Sequence, residues 1–140
     1  MIVLVDIDHC VCDGYWRDSI IGITDWDSYH LASKDDAPIK EIVDLINSME
    51  KAGHAVIGFT SRPEKWRKLT NEWLVKHEVK ISELVMRRND DFRKATEIKE
   101  DIVRSPIFSG YGISLVIDDR QDVCETINNM GVTTMQVRHK

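Results

Sequence analysis

The sequence predicts an α/β domain, three layers deep and Rossmann-like, built on a parallel sheet of about five strands with a small lid inserted after the first strand. Three observations carry that expectation. Short apolar, β-branched runs alternate with segments of helical period along all 140 residues. Strands alternating with helices of roughly 10–15 residues read as βαβ units, whose parallel strands need helices on both faces. Acidic or hydroxyl residues follow three of the strands, at the carboxyl ends where open parallel sheets bind ligands. After the first strand, moreover, residues 8–37 show neither period, where such a connection usually runs roughly 2–6 residues.

The elements follow in order. Ile2-Val-Leu-Val-Asp6 is β-branched and reads as a buried central strand. Pro38 suits a first helical turn, and Ile39, Ile42, Val43, Ile46 and Met49 recur at helical spacing until Gly53 stops them. His54 to Phe59 is the second strand. Pro63 is expected to open the next helix, with Trp66, Leu69, Trp73 and Leu74 as its apolar stripe. Leu84 to Met86 is a short third strand, followed by a polar helix from about Phe92 to Val103. Pro106, Gly110 and Gly112 mark a loop. Ser114 to Ile117 is the fourth strand, closed by Asp118 and Asp119. A helix carrying Val123, Cys124, Ile127 and Met130 ends at Gly131, and Thr133 to Val137 is the last strand. No repeat or linker divides the chain, so residues 1–140 read as a single domain. Residues 9–37 read as its lid, since Tyr15, Trp16, Trp26 and Tyr29 are too many aromatics for a solvated linker.

Composition excludes some functions. Nineteen Lys and Arg against 24 Asp and Glu give a net charge of −5, which argues against a broad face gripping duplex nucleic acid. Only a local basic edge remains, and Arg87, Arg88, Arg93 and Lys94 supply one. The apolar runs are of strand length, far below the roughly 20 residues a bilayer requires. The start of the chain has neither a basic segment nor a small-residue cleavage site, so the expected location is the cytoplasm. Cys10, Cys12 and Cys124 are odd in number and lack zinc-site spacing, so free thiols are expected.

The chemistry concentrates at the strand ends. Asp6 and Asp8 follow the first strand, Thr60, Ser61 and Arg62 the second, and Asp118 and Asp119 the fourth. Turn capping accounts for Asp6 and Asp8 alone. Three or four carboxylates in one crevice repel, and a hard divalent cation with oxygen ligands, Mg²⁺ by preference, holds such a set together. Arg62 and Lys99 would provide the positive counterpart for an anionic substrate. An ordinary charged helix face explains Lys99 equally well.

These residues resemble the four motifs of the haloacid dehalogenase (HAD) superfamily of phosphotransferases. They are the apolar strand ending in Asp6-Ile7-Asp8, the strand-end Thr60, the later Lys99 and the strand ending in Asp118-Asp119. More narrowly, the chain resembles the 3′-phosphatase half of phage polynucleotide kinase-phosphatase. Arg17 matches that family's substrate-binding arginine, Thr60-Ser61-Arg62 its Ser-Gly-Arg segment, and Ile117-Asp118-Asp119-Arg120 its Ile-Asp-Asp-Arg. The family's glycine and threonine after the second aspartate are His9 and Cys10 here, Ala95 replaces an acidic residue, and no Walker A segment occurs.

The resemblance implies a phosphomonoester hydrolase with Asp6 as nucleophile, Asp8 as general acid and base, and Thr60 and Lys99 on the transferring oxygens. It places Mg²⁺ on Asp6, the Asp8 carbonyl and Asp118 or Asp119, and substrate on Arg17, Arg62, Ser61 and Trp16. Asp8 would then need a pKa above that of Asp6. The expected substrate is a polynucleotide 3′-phosphate or a nucleotide, with Trp16, Trp26 and Tyr29 available to stack on a base. A sugar phosphate or other small phosphomonoester, and a non-catalytic phosphate-binding module, are the alternatives.

Overall fold

The computed structural model describes residues 1–20, 25–108 and 112–139. Its elements run β1 (Ile2–Val5), β2 (Cys12–Asp13), α1 (Tyr15–Asp18), α2 (Trp26–Ala32), β3 (Ala37–Pro38), α3 (Lys40–Lys51), β4 (Ala55–Pro63), α4 (Arg67–Lys76), β5 (Glu83–Arg87), α5 (Ala95–Arg104), β6 (Leu115–Asp118), α6 (Gln121–Asn128) and β7 (Thr133–Gln136). Five of the strands form one parallel sheet in the order β5-β4-β1-β6-β7.

Side-chain alternation along β1 splits the core in two. Val3 and Val5 pack with Val43, Ile46, Trp73 and Leu74 beneath α3 and α4. Leu4 faces the other way, onto Phe59, Ile98, Val123 and Ile127 beneath α5 and α6. Both faces of the central strand are covered, which is why its sequence is a continuous apolar run. The three-layer expectation is met.

Four expectations needed correction, the simplest being that Pro38 lies in β3 and α3 starts only at Lys40. Strand β4 continues past Phe59 to Pro63, with a register slip between Thr60 and Pro63. Pro63 therefore closes a strand, a position that needs no ladder N–H. A 3₁₀ turn, Glu64–Trp66, then leads into α4. The polar helix α5 starts at Ala95 rather than Phe92, because Arg87 holds the preceding loop by donating to the carbonyls of Ser61, Asp91 and Arg93 at 2.7, 2.9 and 2.6 Å. Of the predicted loop around Gly110, residues 106–108 form a 3₁₀ turn, and 109–111 lie outside the described residues.

The last correction concerns the segment after β1, which is structured rather than irregular. Strands β2 and β3 pair antiparallel at its base, Cys12 with Pro38 and Asp13 with Ala37. Between them stand α1 and α2, the latter capped by Asp25 accepting the Ser28 N–H at 2.8 Å. Pieces of two to seven residues are too short to register as a period in the windows that reveal one. Residues 21–24 of the predicted lid lie outside the described residues. Among the described residues, no helix is long and apolar enough to cross a membrane.

Candidate active site

Two charge clusters meet at the carboxyl ends of β1, β4 and β6. The first is built on Asp6. Its N–H still donates to the Ile117 carbonyl at 2.9 Å, so the residue leaves β1 in register with β6 and lies near Asp118. From α5, Lys99 reaches in as a buried ammonium, 2.8 Å from Asp6 Oδ1 and 2.5 Å from Asp118 Oδ2. The Nζ lies 4.6 Å from the centre of the Phe59 ring. Asp118 Oδ1 also accepts the Arg120 N–H at 2.9 Å. Asp6, Asp118 and Asp119 each offer a carboxylate oxygen within 4.8 Å of the others.

One ammonium does not balance three carboxylates. Burial, then the charge of Asp118, pushes the Asp6 carboxyl well above the usual range, and Lys99 only partly opposes this. Burial raises Asp119 as well. Hard oxygen donors with surplus negative charge are the donor set a divalent cation such as Mg²⁺ fits.

The second cluster is built on Asp8. Arg62 donates to it from Nε at 2.9 Å and from Nη2 at 2.7 Å, and Arg17 Nη2 adds a bond at 2.8 Å. Burial favours the neutral acid, but the Arg62 charge and then that of Arg17 overcome it and hold the Asp8 carboxyl well below the usual range. The acid–base role expected of Asp8 requires the opposite order, Asp8 above Asp6, which a metal favouring the ionised nucleophile would help to set. The Asp8 carboxylate stands with the guanidiniums rather than with Asp6, Asp118 and Asp119, which leaves its backbone carbonyl as the atom expected to face a metal. Asp8, Cys12 and Asp36 do bring ligand atoms together, but the two guanidiniums already supply that group's positive charge.

Both arginines are themselves fixed. Arg17 is fully buried and donates to both Asp36 oxygens, at 2.8 and 2.6 Å, with its guanidinium 4.4 Å from the Tyr29 ring centre. Gly14 makes room for it: a Cβ there would fall 2.5 Å from Arg17 Nη2. Arg62 Nη1 donates to Thr70 Oγ1 at 3.0 Å, and Thr60 Oγ1 accepts the Arg62 N–H at 3.1 Å. Asp36 and Thr70 carry no motif and were missed. The one signal was that a buried arginine requires an anion, and Asp36 follows Asp35 just ahead of Pro38.

The remaining expected residues divide. Thr60 is fully buried at the end of β4. Ser61 faces this end of the sheet only partly buried, its carbonyl taken by Arg87. Trp16 is exposed on α1, its indole N–H donating to Asp36 Oδ1 at 2.8 Å. Tyr29 is buried under Arg17, so it is a support rather than a stacking surface. The basic edge is largely neutralised, with Arg93 paired to Asp91 at 2.9 Å and to Asp101 at 2.6 Å, and Arg88 to Asp90 at 3.3 Å. Lys94 is exposed. All three cysteines are buried free thiols. His9, in place of the family's glycine, has φ 61°, the left-handed conformation glycine adopts easily. Its ring stacks on Tyr15 at 4.2 Å and approaches Asp18 at 3.3 Å.

Behind the arginines, His30 is 9% exposed, and burial lowers its pKa from 6.5 to about 4. A depressed histidine pKa stabilises the fold above the unfolded value, and that contribution is lost as pH falls toward the folded one. Melting curves between pH 6.5 and 4 should therefore show a steeper loss of Tm for the wild type than for His30→Gln. Parallel curves would refute the assignment.

The comparisons with known proteins agree with this fold. The family profile "Polynucleotide kinase PNKP phosphatase domain" matches residues 1–140. No curated protein is similar enough to match. Among solved structures, the Pnkp1/Rnl/Hen1 complex superposes with a TM-score of 0.81 at 21% identity, covering 96% of this chain and 45% of that one. This chain thus spans under half the length of that relative. A class C acid phosphatase from Bacillus anthracis gives 0.68 at 13% identity, over 96% and 64% of the two chains. A HAD family enzyme from Bacteroides thetaiotaomicron, solved with magnesium and inorganic phosphate, gives 0.57 at 12%, over 98% and 93%. The full-length profile match decides the assignment: the chain belongs to the family of PNKP phosphatase domains, within the HAD phosphatases.

Proposed function

We propose that the protein is a Mg²⁺-dependent phosphomonoesterase that releases phosphate from a polynucleotide 3′ end or a nucleotide through an aspartyl-phosphate on Asp6. The observation that carries this reading is the set of buried cations around two carboxylates, Lys99 at Asp6 and Arg17 with Arg62 at Asp8. Three fixed donors at one crevice suit a phosphate dianion, for which positioning and electrostatics supply most of the catalysis.

Asp6 Oδ attacks phosphorus, and the bond from phosphorus to the leaving alkoxide breaks. Asp8 gives that alkoxide its proton, then takes one from the water that hydrolyses the acyl phosphate. Arg17 and Arg62 hold Asp8 ionised while no phosphate competes for them. A substrate phosphate beside the same fixed guanidiniums offsets their charge with its own, and Asp8 regains the proton affinity an acid needs. Lys99 and Thr60 bind the transferring oxygens. Asp6, Asp118 and Asp119 would hold Mg²⁺, which supplies the positive charge that lets one carboxylate approach a phosphate.

Two features support the nucleotide reading over a sugar phosphate: the full-length match to a polynucleotide phosphatase family, and the aromatic lid beside the arginines. Since the basic edge is paired, a terminal nucleotide fits better than a long backbone track. The test is phosphate release from 3′-phosphorylated oligonucleotides, nucleoside 3′- and 5′-monophosphates and sugar phosphates, each with Mg²⁺ and with EDTA. We expect at least about a tenfold preference in kcat/KM for the 3′-phosphorylated nucleotides, and at least about a tenfold loss on chelation. Equal turnover of sugar phosphates defeats the substrate assignment, and full activity after exhaustive chelation defeats the metal assignment.

A further inference from the structure

We infer that Trp26, backed by His30 and Trp66, forms a stacking subsite for the nucleobase of the nucleotide that carries the scissile phosphate. This rests on the nucleotide reading proposed above.

Trp26 is 61% exposed, although it stands on a helix otherwise used to bury Tyr29 and His30. Its indole meets Tyr29 edge-on at 5.4 Å and lies nearly parallel to His30, at 25° and 5.9 Å. One face is therefore backed by a ring, and the exposure leaves the other open. His30 in turn meets Trp66 at 6.0 Å. The lid helix is tied down beside this row by Lys65, which bridges from the far side to Asp27 at 2.6 Å and lies 5.7 Å from the Trp66 ring.

Both ends of the aromatic row connect to the phosphate-binding arginines. Tyr29 carries Arg17 on its face. The Trp66 carbonyl accepts from Thr70 Oγ1 at 2.8 Å, the hydroxyl that Arg62 Nη1 contacts. A phosphate on the two guanidiniums thus puts its own nucleoside next to Trp26. A planar base is the ligand that an open indole face accepts, and stacking tolerates any base because each has a π-face.

A second observation points to a ligand here. Among the described residues, three buried side-chain atoms lack a hydrogen-bond partner, and two of them, His30 Nδ1 and Trp66 Nε1, lie in this row. Buried polar atoms almost always find a partner, and an orphaned pair beside a functional crevice calls for a polar one. Lys65, exposed and paired with Asp27, adds a positive charge at the rim for the sugar-phosphate side.

The experiment compares kcat/KM for a 3′-phosphorylated oligonucleotide with that for the same oligomer ending in an abasic 3′-phosphate, in the wild type, Trp26→Ala and Trp26→Phe. The wild type should prefer the base-bearing end. Trp26→Ala should reduce that preference about 5- to 100-fold, and Trp26→Phe should retain most of it. A purely structural Trp26 would lower both substrates together and leave the ratio unchanged, which overturns the subsite while the nucleotide reading stands. A wild type indifferent to the base, yet active on both ends, overturns the subsite and leaves phosphatase chemistry intact. Wild-type failure on both ends, with turnover of sugar phosphates, overturns the nucleotide reading itself.

Discussion

Asp6→Asn should eliminate phosphate release from every substrate, a loss on the order of 10⁴-fold or more, as removal of a covalent nucleophile brings. The loss should come without unfolding. Burial and the neighbouring Asp118 already raise the Asp6 pKa, so the charged form is disfavoured in the folded state, and the amide removes that burden. Lys99 keeps Asp118 as its partner. Tm should therefore be unchanged or higher at neutral pH, while activity vanishes. Asp8→Asn should behave differently. Alkyl phosphates, whose leaving group needs a proton, should slow far more than nitrophenyl phosphate, whose leaving group does not. The same variant frees Arg17 and Arg62 from their competing carboxylate, so inorganic phosphate should bind it more tightly than the wild type. Turnover by Asp6→Asn within about 100-fold of the wild type would exclude the covalent route. Equal losses on both substrate types, with phosphate affinity unchanged, would reduce Asp8 to a structural role.

What was legible in the sequence was whatever repeats or concentrates. The strands of the sheet are apolar runs, and Asp6, Thr60, Asp118 and Asp119 follow them, so their convergence follows from parallel topology alone. Lys99 was ambiguous from charge pattern, between a solvated helix face and a site, and only its burial between Asp6 and Asp118 separates the two. Asp36 was not legible. It lies 19 residues from Arg17, in a segment with no period, and a contact set by tertiary folding leaves no local spacing to read. The hold of the two arginines on Asp8 was not legible for a related reason. Proximity of Asp8 to Asp6 in sequence suggested mutual repulsion, whereas the fold delivers two guanidiniums to Asp8 from residues 9 and 54 positions away. Local departures were easier to reconcile: His9 adopts the glycine-like φ of 61° that the motif demands, and its stacking on Tyr15 helps to hold it there.

Lys99→Met should cost both catalysis and stability, and the two losses should part with pH. Removing the ammonium takes a fixed positive charge from the transferring phosphoryl group, worth about 10³-fold in turnover. It also leaves Asp6 and Asp118 buried without their shared partner, and breaking a buried pair from one side costs about 3–5 kcal/mol. The carboxylates can escape that cost only by binding a proton. Asp6 is already raised by burial and by Asp118, with Lys99 opposing the rise, so its loss raises the folded pKa further. A group whose folded pKa lies above the unfolded value favours folding below the unfolded pKa, and loses that contribution as pH rises through the folded one. The variant should therefore lie closest to the wild type in Tm near pH 5 and fall furthest behind it near pH 8. Lys99→Met/Asp118→Asn removes one of the two stranded carboxylates, and should recover part of the Tm without recovering activity. Because Lys99 is 2% exposed and packs against Phe59, methionine retains the stem's apolar contacts, so the stability change reports the charge. Thermal melts across pH 5–8 and phosphate-release rates on the same preparations measure both effects. A Tm deficit that does not widen toward pH 8, or turnover within tenfold of the wild type, would show that Lys99 neither balances the carboxylates nor assists phosphoryl transfer.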